Sequence, residues 1–451
     1  MDVRKEVESH LDEILMHLKT LVSYNSVMGE AEEGYPFGRV PADCLNKALE
    51  ICNSYGFKTV NLDNYVGYAE MGEGEGLIGI LGHLDVVPAG EGWKTDPFNM
   101  EIIDGIAYGR GTTDDKGAVV ASMIAMKIVK DLNIPLTKRI RLIMGINEEN
   151  GSRCLAHYVE KEGHIDMGFT PDGCFPGVHG EKGMIRANFK SKNTKIINIQ
   201  GGVASNVVCN KCTIQVMKNS FSQKVLEDYF NDHNITYAFN VIGDVVEIEA
   251  RGVAAHASTP KLGVNAISHL LVGLKHAGFQ DDFTDFYNEK IGTTIDGSLM
   301  GAACKDEYGT LTFNVGVINM TDGVIEGTID IRFPVTLTVK QIVEKMTPNL
   351  ETAGGFVEIL STHEPLYFPI DSPLVTKLLK AYQEVTGDME SKPITMGGGT
   401  YAKGINNCIA FGCELLGVDN HIHDTNEFVS IDALVMQTEI YVNAIIKLLD
   451  N

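Results

Sequence analysis

The 451-residue chain is 44% hydrophobic and carries 37 Lys and Arg against 60 Asp and Glu, a formal charge of −23. That length exceeds what one hydrophobic core serves, so two domains are expected. The acidic balance argues against nucleic acid and anionic membrane surfaces as partners and fits a protein that handles small or cationic ligands.

In chain order, residues 2–24 predict a helix, with Leu11, Ile14, Leu15, Leu18 and Leu21 at helical spacing and no signal-peptide character. A second helix is expected over 41–55, then strands at 57–62, 65–71 and 77–84. Asp104-Gly105 reads as a hairpin turn between two short strands. A small-residue helix over 117–132 precedes a strand at 139–146 and a helix over 151–162. From about residue 181 the pattern turns α+β, with strands at 185–189, 245–251, 311–317 and 324–333 and helices over 264–276 and 338–353. After Pro365 the α/β rhythm returns, with a helix over 372–386, a strand at 408–411 and an amphipathic helix over 431–449. The fold class expected is α/β: a mixed β-sheet flanked by helices, formed by residues 1–180 and 366–451 and interrupted by an α+β domain over 181–365.

No stretch approaches the ~18 apolar residues of a membrane span. Nine scattered cysteines argue against a disulfide framework and for a reducing, cytoplasmic setting. Gly74-x-Gly-x-x-Gly79 precedes a strand rather than opening a helix, so it reads as a turn and not as a dinucleotide site. Cys209-x-x-Cys212 has no second pair and reads as bland.

Chemistry-bearing residues collect at strand ends. His83 and Asp85 follow the apolar run 77–81 and, two apart, share a face. An imidazole beside a carboxylate is a metal ligand with a group that fixes its tautomer. Asp114 and Asp115 sit in a glycine-rich loop before a helix, Glu148 and Glu149 at the end of the strand 139–146, Asp172 in a turn after another apolar run, and His421 and His423 in a polar loop before the last helix. Open α/β sheets place their sites at such positions. Two metals sharing a bridging carboxylate need about this inventory.

These motifs, Gly82-His83-Leu84-Asp85 through Val86-Val87-Pro88, Gly109-Arg110-Gly111 through Lys116-Gly117, Glu148-Glu149, Pro171-Asp172 and His423-x-x-Asn426-Glu427, resemble in order those of the two-metal aminoacylase, carboxypeptidase and dipeptidase superfamily, and most the bacterial dipeptidase V and carnosinase-like branch. The resemblance implies that His83, Asp114 and Asp172 bind one metal and Asp114, Glu149 and His423 the other, with Asp114 bridging and a cis peptide after it. Zn2+ is the expected ion, Mn2+ or Co2+ the alternatives. Asp85 would orient His83, and Glu148 would be the general base acting on a metal-bridging hydroxide.

The inserted domain would act as a lid. By resemblance, His256 in Gly252-Val-Ala-Ala-His256 stabilises the oxyanion with Asn206 near it. Arg332 holds the substrate carboxylate, and Gly398, Gly399 and Thr400 offer backbone donors to the same group. The Asp at position 172, the long inserted domain and Gly263-Val-Asn-Ala266 lean toward cleavage of dipeptides with free termini by a monomer, a dimer being the alternative. An N-acyl-amino-acid deacylase of the acetylornithine or succinyl-diaminopimelate type is the runner-up.

Overall fold

The computed structural model describes residues 2–450. The chain divides into two compact units: Met1–Gly180 with Phe368–Ile394 and Gly399–Asn451, and Glu181–Tyr367 with Thr395–Gly398.

The first unit is built on a mixed sheet. The strand Leu77–His83 lies between two parallel neighbours, Arg139–Gly145 and Met167–Thr170. Cys408–Ala410 continues the parallel run, while Val66–Met71 and Lys58–Leu62 close the other side antiparallel. Buried along its whole length, the strand Leu77–His83 shows why its sequence is continuously apolar rather than alternating. Its small residues allow close packing. A Cβ on Gly82 would meet Val119 Cγ2 at 2.5 Å and Asp115 Oδ2 at 2.8 Å. The helix Lys116–Asp131 is almost wholly buried and packs on the last helix, Ile431–Leu449.

The fold class expected from the sequence is the one found, with local corrections. The first helix is two, Val3–Ser9 and Leu11–Val22, broken at His10, whose ring turns to Glu13 Oε2 at 2.9 Å. Asp104 (φ 50°) and Gly105 (φ 77°) make the turn between Glu101–Ile103 and Ile106–Tyr108, the left-handed pair that favours a tight hairpin.

The second unit is a nine-stranded antiparallel sheet ordered Thr236–Ile242, Val245–Arg251, Lys211–Met217, Asn198–Gly201, Thr312–Thr321, Val324–Phe333, Gly183–Ser191, Gly355–His363, Glu351–Thr352. Its core joins Ile214, Ile248 and Ile329 to Phe230, Leu270, Phe283 and Tyr287 from three helices. The helix expected over 338–353 stops at Met346. Pro348 lacks the N–H needed to continue it and lies in the 3-10 turn Thr347–Asn349.

Candidate active site

His83 ends the central strand of the first unit and is buried. Its backbone N–H donates to Asp115 Oδ2 at 3.0 Å. Its Nδ1 lies 3.0 Å from the main-chain oxygen of Asp85, and a proton kept on Nδ1 for that oxygen would leave the Nε2 lone pair for a bound cation. The Asp85 carboxylate, expected from the sequence to orient this histidine, stands 3.5 Å from Nδ1. That carboxylate accepts from Glu148 N at 3.0 Å and Glu149 N at 3.1 Å. Fully buried, Asp85 therefore fixes the histidine through its backbone and the acid pair through its side chain.

Asp114 lies between the two histidines. Its Oδ1 is 3.0 Å from His83 Nε2 and its Oδ2 is 2.9 Å from His423 Nε2. His423 Nε2 is also 3.0 Å from Glu149 Oε1, and Asp172 Oδ2 lies 3.9 Å from His83 Nε2. Ligand atoms of His83, Asp114 and Glu149, and separately of His83, Glu148 and Asp172, lie within 4.8 Å of one another. The Asp114-Asp115 peptide is cis.

Electrostatics tests whether a cation fits. Burial pushes the Glu148 carboxyl well up, and the charges of Asp172 and Glu149 push it further. Burial and Asp114 raise Glu149 in the same way, although His423 opposes them. Burial works against ionisation of Asp114 as well, yet hydrogen bonds from His423 and His83 outweigh it and hold its carboxyl well below the ordinary range. Acids this crowded repel unless positive charge separates them. The mixed nitrogen and oxygen donors suit divalent ions of the zinc, manganese and cobalt kind. The residues present thus fit a metal centre, with His83, Asp114 and Glu149 in one candidate group and His83, Glu148 and Asp172 in another.

Glu427 belongs to this construction, although the sequence motif that contains it assigned it no task. Its Oε2 accepts from Arg110 Nη1 (2.8 Å) and Gly111 N (2.9 Å), and its Oε1 from Thr113 N (2.9 Å) and Asp114 N (3.1 Å). One buried carboxylate thus shapes the loop that delivers Asp114. A Cβ on Gly117 would stand 2.0 Å from Thr112 O, which explains the glycine where this loop enters its helix. Tyr401 was also missed. Buried, it meets His83 edge-on with ring centroids 6.3 Å apart, and its hydroxyl bonds Cys154 Sγ at 2.9 Å.

The second unit gathers the expected lid residues into a group of its own. His256 Nδ1 accepts from Ser258 N at 3.2 Å and lies 2.6 Å from Ser258 Oγ, which assigns the ring proton to Nε2. Asn206 is the neighbour of this segment, its carbonyl accepting from Ala257 N at 2.8 Å. A Cβ on Gly397 would come 2.4 Å from Ser258 Cβ. The Gly397 carbonyl accepts from Arg332 Nη1 at 3.0 Å, and Arg332 is paired with Asp330. Gly398 belongs to this unit. Gly399 and Thr400 belong to the first, where Thr400 Oγ1 caps the turn Tyr401–Gly404 by accepting from Ala402 N. Cys209 and Cys212 are buried free thiols.

Residues 79–447 match the model of peptidase family M20/M25/M40. Putative dipeptidase YtjP of Bacillus subtilis (strain 168) is 34% identical over 466 residues, covering 99% of this chain and 100% of that protein. Putative dipeptidase SH1171 of Staphylococcus haemolyticus (strain JCSC1435) is 32% identical over 465 residues, covering 99% of each. Among solved structures, human carnosine dipeptidase 1 is similar with a TM-score of 0.62 at 17% identity, over 100% of this chain and 98% of that one. The di-peptidase Dug1p of Saccharomyces cerevisiae has a TM-score of 0.60 at 15% identity with the same coverage. At these identities the two structures speak for the fold.

Proposed function

The chain belongs to peptidase family M20/M25/M40 and is a metal-dependent peptidase, and from that premise we propose that it hydrolyses dipeptides whose amino and carboxyl termini are both free. The observation that carries this reading is the placement of Asp114, one oxygen toward His83 and the other toward His423, with Glu148 held beside them by Asp85. The dipeptidase names of the full-length relatives support the substrate class.

Two divalent cations bound by the five ligands, Zn2+ in this reading with Mn2+ or Co2+ as alternatives, would polarise the scissile carbonyl and make water acidic enough to attack at neutral pH. Glu148 takes the proton from the attacking water and delivers it to the departing amide nitrogen. A carboxylate beside the attacking water is suited to such a shuttle between those two partners. His256 donates its Nε2 proton to the oxyanion, with Asn206 next to it in the same segment. Arg332, Gly398, Gly399 and Thr400 take the C-terminal carboxylate and thereby select short substrates. A monomer in a reducing cytoplasm is the setting proposed, in keeping with nine free cysteines. Among the described residues no helix is long and apolar enough to cross a membrane.

A substrate panel tests the proposal. A free dipeptide, its N-acetylated form and an N-acetyl amino acid are offered to metal-loaded enzyme. The free dipeptide is the expected substrate. Robust cleavage of the N-acetyl amino acid with none of the dipeptide would make the protein a deacylase instead.

A further inference from the structure

Arg332 is the residue that the dipeptide reading assigns to the substrate's carboxylate, yet it already holds a carboxylate of its own. Asp330 and Arg332 lie two apart on the strand Val324–Phe333, so their side chains share a face. Arg332 Nε donates to Asp330 Oδ1 at 2.6 Å and Nη2 to Oδ2 at 2.9 Å. Asp330 is fully buried and Arg332 is 4% exposed. A buried carboxylate is tolerated only when its partner is well aligned, and this bidentate edge-on pair meets that condition.

A guanidinium has five N–H donors in a fixed plane. Two go to Asp330 and a third, on Nη1, to Gly397 O at 3.0 Å. The Gly397 end is itself fixed, because its Cα faces Ser258 too closely to admit a side chain. Two N–H groups remain, one on each terminal nitrogen, and the plane that carries them is held from two sides. A carboxylate takes such a pair of parallel donors bidentately.

Resting on the dipeptide reading, we propose that Asp330 is the positioning residue for C-terminal recognition: by holding one edge of the Arg332 guanidinium, it leaves two aimed N–H donors instead of a mobile cation. The enzyme then recognises a carboxylate by shape, and discriminates against a terminal amide, whose NH2 would face those donors with hydrogens of its own.

The experiment compares kcat/KM for a dipeptide and for the same dipeptide as its C-terminal amide. Wild-type enzyme prefers the acid. Asp330→Asn keeps the volume but turns an NH2 toward the guanidinium, and it lowers the acid-to-amide preference by about tenfold or more, the worth of one charge-assisted hydrogen bond. The loss appears in KM for the acid, while turnover of the amide is kept. Asp330→Glu, which restores the charge one methylene too far out, also lowers the ratio and decides the matter if the Asn variant does not fold. A purely structural role would depress acid and amide together and leave the ratio unchanged, which overturns the proposal. A wild-type enzyme indifferent to the terminal carboxylate would overturn the dipeptide reading itself, and the role of Asp330 with it.

Discussion

At the scale of single residues, proton transfer and proton placement are separate jobs. Glu148→Gln keeps the side chain's shape and removes its basicity. It should retain bound metal and lose at least ~10²-fold in kcat, measured by elemental analysis beside steady-state kinetics. Ser258→Ala withdraws the hydroxyl 2.6 Å from His256 Nδ1 and loosens the tautomer that keeps the proton on Nε2. A drop of about fivefold in kcat, near 1 kcal/mol, is expected with melting temperature unchanged. His83, Asp114, Glu149, Asp172 and His423 stand out in the sequence as candidates at strand ends or in adjoining loops, and their proposed grouping as metal ligands comes from the family resemblance. The second task of the Asp85 carboxylate was not legible, for a physical reason. A strand-end acid can serve an imidazole or the backbone N–H groups of the next loop, and only the fold brings Glu148 and Glu149 within its reach. Arg332 was legible as a cation but not as one partner of a pair, although Asp330 two positions earlier was the available signal.

Among elements, the loop Gly109–Asp115 and the strand Leu77–His83 are fitted to each other with little slack. Gly82→Ala would force its methyl against Val119 and the Asp115 carboxylate. Overpacking of this kind costs about 1–3 kcal/mol, and a lower denaturation midpoint together with weaker metal retention would report it. Glu427→Gln removes the charge that faces buried Arg110, and breaking a buried pair costs about 3–5 kcal/mol. Chemical denaturation should show that loss, and metal titration a weaker site, because the Asp114 backbone loses its anchor. Elements with strong periodicity, such as Ile431–Leu449 and Val324–Phe333, coincide with their sequence-based ranges. Unanticipated ones include the edge strand Thr236–Ile242, mostly exposed along its length, and the helix Asp282–Lys290, which mixes polar and aromatic residues. A half-exposed strand and a short helix of mixed polarity leave weak patterns that only neighbouring elements resolve.

For the whole molecule, the proposed metal ligands all come from the first unit and the proposed lid residues, apart from Gly399 and Thr400, from the second. The expected division rests on a change in the sequence from alternating helices and strands to strand-rich patterning and back. Bound cations separate the crowded carboxylates of the first unit, so metal should stabilise the folded chain by about 2.7 kcal/mol at a hundredfold excess over Kd. A chelator should lower the melting temperature and added metal restore it. The central claim, a two-metal dipeptidase, meets its most direct test in one titration: chelated protein receives Zn2+, Mn2+ or Co2+ in steps while hydrolysis of a free dipeptide is followed. Activity should be absent at the start and reach its plateau at two ions per chain. Dipeptide hydrolysis that persists undiminished in the metal-free protein, or that never appears at any metal content, would contradict the account.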